Sequence, residues 1–82
     1  AFYEVGAKVR MLERKIAQAE EKNTVLYEDY VGGIVEKEDF DMMKERYIRE
    51  LQNLRDDLQI AKQNQRMLEK KTDRYILLVQ RV

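Results

Sequence analysis

Residues 26–40, LYEDYVGGIVEKEDF, set two adjacent glycines, Gly32 and Gly33, between two long charged segments. Glycine enters the left-handed backbone region without steric cost, and a left-handed residue is a common way for a helix to end. Gly32 and Gly33 are therefore expected to form the turn, with one of them left-handed. One helix then spans about residues 3–31, the turn about 32–36, and a second helix about 37–80. Glu36, Glu38 and Asp39 suit the positive end of that second helix, although Glu36 is a poorer cap than Ser, Thr or Asp.

Outward from the turn, both flanks carry a heptad pattern in which apolar residues recur at alternating spacings of three and four. In the first, Phe2, Val9, Ile16, Asn23 and Tyr30 occupy a, with Val5, Leu12, Ala19 and Leu26 at d. In the second, Leu51, Leu58, Gln65, Thr72 and Val79 occupy a, with Phe40, Tyr47, Leu54, Ala61, Leu68, Tyr75 and Val82 at d. Stripes this narrow belong to a two-helix seam rather than to a globular core. Folding the chain at Gly32 and Gly33 places a against d throughout: Val9 with Ala61, Leu12 with Leu58, Ile16 with Leu54, Ala19 with Leu51, and Tyr30 with Phe40. The predicted fold class is all-α, an antiparallel two-helix coiled-coil hairpin with a longer second helix. At 1.5 Å per residue the helices should measure roughly 43 and 66 Å.

Asn23 is the polar residue at a core position of the first helix. A buried Asn often fixes coiled-coil alignment, and Tyr47 is its expected neighbour and hydrogen-bond partner. A half-exposed, merely tolerated Asn23 is the other reading. Beyond Leu68 the second helix runs past its partner while still carrying Tyr75, Ile76, Leu77, Leu78, Val79 and Val82. Each large side chain left in water forgoes roughly 1.5–3 kcal/mol, so these are expected to be covered by another part of a longer protein or by another subunit. With no capping signal at either end, the chain reads as a fragment of something longer.

Composition removes most chemistry. The 82 residues include no histidine, cysteine, proline or tryptophan, and serine is also missing. Disulfides, the usual zinc sites and the common nucleophiles and bases are thus excluded, and neither an enzyme active site nor a cofactor is expected in this fragment. Charged residues make up 39% of the chain and cancel, 16 against 16, as expected of solvated helix faces. No apolar run approaches the roughly 18 residues of a membrane span, so a soluble, cytoplasmic protein with no membrane partner and no small-molecule substrate is expected.

Around the bend cluster Tyr27, Tyr30, Val31, Ile34, Val35, Phe40, Met42, Met43 and Tyr47, more apolar surface than a two-helix turn can hide. Aromatic and Met side chains are enriched at contact surfaces, so Tyr27, Tyr30, Val31, Ile34, Val35, Phe40 and Met43 are the expected interaction residues. The alternative is a local cap over the end of the coiled coil. Residues 20–45 hold nine acids against Lys22, Lys37 and Lys44, a net of −6, whereas residues 61–82 carry a net of +4. An acidic tip repels phosphate, so any nucleic-acid contact belongs near the root.

The segment from Leu26 to Phe40 resembles the coiled-coil insertion of the large serine recombinases, the phage integrases and mobile-element transposases. That insertion shows a Leu-Tyr, a Tyr three residues later, an Asp-Gly type turn, two aliphatics, and Ser-Lys-Glu-Glu-Phe opening the return helix. Leu26, Tyr27, Tyr30, Gly33, Ile34, Val35, Lys37, Glu38, Asp39 and Phe40 match, and Met43, Lys44 and Tyr47 continue the likeness. Gly32 stands where Asp or Asn is usual, and Glu36 where Ser or Thr caps the helix. The resemblance implies a parent of bacterial or phage origin that binds DNA, with a catalytic serine domain and a zinc ribbon from which the hairpin projects. It further implies that the hairpin tip contacts another recombinase subunit, holds paired DNA sites together and controls the direction of recombination. A recombination directionality factor is the second partner it implies.

Two other classes of function fit the heptads alone. One is a structural spacer or homodimerisation module. The other is a nucleic-acid-binding helical arm like that of the seryl-tRNA synthetases, against which the zero net charge and the acidic tip both argue.

Overall fold

The computed structural model describes the backbone of residues 2–80 and the side chains of residues 4–71. Helix α1 spans Phe2–Val31 and helix α2 spans Lys37–Gln80. The two pack against each other as an antiparallel hairpin, the second longer than the first. The result is a rod of 70 × 15 × 15 Å, about the length expected of α2 alone at 1.5 Å rise. Tyr75 to Val82, expected from the heptads to need a cover, have side chains outside the described residues, as do Phe2 and Thr72.

The seam follows the heptads. Val9, Leu12 and Ala61 form one buried cluster against which Leu54 and Leu58 pack, and Ala19, Leu26, Phe40 and Leu51 are also buried. Val5, Ile16, Asn23, Tyr30, Tyr47, Gln65 and Leu68 are half-buried. Lys44 and Lys37, which continue the a stripe toward the turn, are exposed. Among the described residues no side chain is wholly enclosed, because a two-helix seam leaves both flanks open to water.

Those flanks are where charge acts. Glu20 and Arg55 meet across the seam, with Nη2 donating to Oε1 at 3.2 Å. The same fold-back register sets Glu13 opposite Lys62 on that flank, and Lys15 opposite Glu50 and Lys8 opposite Asp57 on the other. An exposed pair of this kind contributes only about 0.2–1 kcal/mol, so these charges keep the flanks wet more than they hold the helices together. Toward the turn apolar residues enter the same flank positions. Tyr27 stands opposite Ile48 on one side, and Met43 opposite Lys22 on the other.

Candidate functional site at the hairpin tip

The chain reverses through a Schellman motif. Gly33 is left-handed, with φ of 79°, and its amide donates to the Tyr30 carbonyl at 3.1 Å. The amides of Ile34 and Val35 both turn back to the Asp29 carbonyl, at 2.9 and 3.3 Å. Gly32 keeps a helical bond, its amide donating to the Glu28 carbonyl at 2.8 Å. Helix α2 then opens with the Phe40 amide donating to the Glu36 carbonyl at 2.9 Å, which makes Glu36 the capping residue.

This motif explains the most exposed apolar residue of the tip. The residue after a left-handed helix end normally packs back on an apolar residue of the last turn. Here that residue is Ile34, and the positions it would reach are the acids Asp29 and Glu28. Ile34 stands 78% exposed, and Val31 and Tyr27 in the last turns of α1 are exposed as well.

Beneath the crest lies an aromatic platform. Tyr30 stacks on Phe40 with ring centroids 4.2 Å apart and planes at 21°, and Tyr27 reaches the same ring at 6.5 Å. The Lys44 ammonium sits 5.7 Å from the Phe40 centroid, so this a-position lysine lies over an aromatic face rather than in the seam. Phe40, read from sequence as a contact residue, is 8% exposed. It supports the tip from inside and has little surface to offer a partner.

On the opposite flank a groove of 470 Å³ opens beside the seam. Val25, Leu26, Val35, Met43 and Tyr47 floor it, and Glu21, Lys22 and Asp29 stand at its rim. The expected contact residues are thus divided: Tyr27, Val31 and Ile34 on the crest, Tyr30 and Phe40 in the platform, Val35 and Met43 in the groove. Asn23 and Tyr47 are both half-buried, and the side-chain hydrogen bonds recorded among the described residues include none between them. Asn23 instead borders a shallow pocket with Thr24, Tyr27, Phe40 and Lys44.

Val25 and Ile48 belong to the exposed apolar surface but escape a reading confined to the a and d stripes. The signal lay in their heptad positions, c and e, where the rest of the chain is mostly polar. Among the described residues no group of three or more acidic side chains is placed to hold a metal ion, and no helix is long and apolar enough to cross a membrane. The chain matches no family model, no curated protein and no solved structure.

Proposed function

We propose that this hairpin is a protein–protein interaction arm of a large serine recombinase, whose tip binds another subunit during synapsis and in controlling the direction of DNA recombination. Two things support the reading: the resemblance of residues 26–40 to that family's coiled-coil insertion, and the physical character of the tip. The observation that carries it is Ile34, 78% exposed, with Tyr27 and Val31 also exposed in the last turns of α1, on the end of a two-helix rod. A contact of that size makes and breaks readily, as reversible assembly requires. Subunits already tethered to DNA need little affinity from it, because tethering raises their effective concentration to about the millimolar range. Catalysis and DNA binding belong in this reading to other domains of the parent, and a directionality factor is a second partner for the same region.

The test is Ile34→Asp in the full-length recombinase, with Gln59→Asp on the exposed shaft as control. Ile34 has no packing to lose, so helicity should be unchanged while synapsis and recombination fail. Recombination at the parental rate in the Ile34→Asp protein would end this reading.

A further inference from the structure

The tip groove has a complementary surface on the same chain. Ile60 and Met67, both 57% exposed, sit at c positions two turns apart on α2. Lys70 and Lys71 follow on the same side, and both are exposed. The groove opens on this side of the rod too, since Gln18 and Val25 are c positions and Lys22, Asp29 and Met43 are g positions. A chain cannot bring its own stripe to its own groove, because Tyr47 and Ile60 are held roughly 20 Å apart along one continuous helix.

We propose that the groove of one copy receives the Ile60–Met67 stripe of a second copy, and that the second copy's groove receives the first copy's stripe. This rests on reading the chain as an arm that binds another arm, and it names the surface on that other arm. The fit has three parts. Anchors seven residues apart are about 10.5 Å apart along a helix, and the groove runs along α1 from Gln18 to Asp29, about 16 Å, so it has length for both. The charges match at the tip end: Asp29 stands at the rim, within a segment of net charge −6, and Lys70 and Lys71 follow the stripe in a segment of net charge +4, whereas Lys22 at the rim and Asp57 before Ile60 carry charges of the other sign. A tip-to-tip contact would instead set −6 against −6, which costs affinity. Finally, both surfaces lie on one side of the rod, so a two-fold axis near Asn53 satisfies both contacts at once and closes the assembly as a dimer.

The 82-residue chain is tested by sedimentation equilibrium over a range of concentration and salt, with circular dichroism reporting helicity. The expected result is a dimer whose dissociation constant rises with salt. Val25→Glu and Met67→Glu alter exposed side chains, leave helicity intact, and should each weaken it at least about tenfold. Mixing the two variants is the decisive arm. Each homodimer has both contacts damaged, whereas one of the two contacts in the mixed dimer joins an unaltered groove to an unaltered stripe, so the mixture should associate more tightly than either variant alone. A chain that stays monomeric to about 1 mM overturns the proposal. So does a dimer that tightens with salt, one indifferent to Met67→Glu, or a mixture no tighter than its components. Loss of recombination activity on Ile34→Asp bears only on the functional reading, since Ile34 does not line the groove.

Discussion

The same substitution, Gly to Ala, should change the stability of this chain in opposite directions at two positions. At Gly33 an added Cβ would meet nothing within 4 Å, but the backbone is left-handed with φ of 79°. Holding Ala there costs roughly 1–2 kcal/mol. Ala also restricts the unfolded chain, which returns about 0.4–1 kcal/mol, leaving a net loss near 1 kcal/mol. At Gly6, inside α1, the backbone is not left-handed, and the new Cβ would lie 3.7 Å from Arg10 Nη1 and 3.9 Å from Gln65 Nε2, ordinary contacts. There only the favourable part applies, and Gly6→Ala should stabilise by about 0.5–1 kcal/mol.

The two variants should therefore differ by about 1.5–2 kcal/mol, or roughly 6–16 °C in melting temperature for a chain of this size. Urea unfolding followed by far-ultraviolet circular dichroism resolves that difference, at one fixed protein concentration so that self-association does not enter. Gly33→Asn supplies the internal control: Asn tolerates the left-handed region better than Ala, so it should recover part of the loss. Gly33→Ala as stable as the parent, or Gly33→Asn no better than Gly33→Ala, would mean that residue 33 is not left-handed, and the reversal at the glycine pair would fall with it.

Leu12, 4% exposed within the Val9–Ala61 cluster, should cost about 2–3 kcal/mol when replaced by Ala, at the lower end for core leucines because an open seam can close around the gap. Its neighbour Met11→Ala, on the exposed face, should cost less than about 0.5 kcal/mol in the same urea titration, and equal costs would refute the seam. Glu36→Ser places a preferred capping residue where the Glu36 carbonyl accepts the first bond of α2. It should raise stability by about 0.5–1 kcal/mol, read as a higher melting temperature.

The fold was legible because its two determinants are both local in sequence. The a and d stripes fix which faces are buried, and the glycine pair fixes where the chain reverses. The burial of Val9, Leu12, Ala19, Leu26, Leu51 and Ala61 follows from spacing alone. The tip was legible only as a composition. That Ile34 points outward depends on Asp29 and Glu28 occupying the positions it would otherwise pack on, which a stripe of heptads does not describe. Phe40 is the exception: its d position opposite Tyr30 already placed it in the seam, where it lies buried under the Tyr30 ring, although composition alone counted it among the contact residues. The groove joins residues from three separate stretches, around Val25, Val35 and Met43, and its existence needs the register, the turn and the helix spacing together.

The flank charges do not choose the hairpin by themselves. A parallel dimer of two α1 helices would set Lys8 against Glu13 and Lys15 against Glu20, and one of two α2 helices would set Glu50 against Arg55 and Asp57 against Lys62. Those pairings are as complementary as Glu20 with Arg55 across the observed seam. Two things break the tie. Unlike either parallel dimer, the fold-back opposes a with d in every layer, setting small Ala19 and Ala61 against the larger Leu51 and Val9. The turn, moreover, gives α1 a partner at an effective concentration on the order of millimolar. A parallel dimer at micromolar protein starts about three decades behind, or roughly 4 kcal/mol, several times the value of the exposed ion pairs it would gain. The hairpin is thus selected by connectivity through Gly33 and by the apolar layers, which leaves the charges along the rod free to determine what the arm binds.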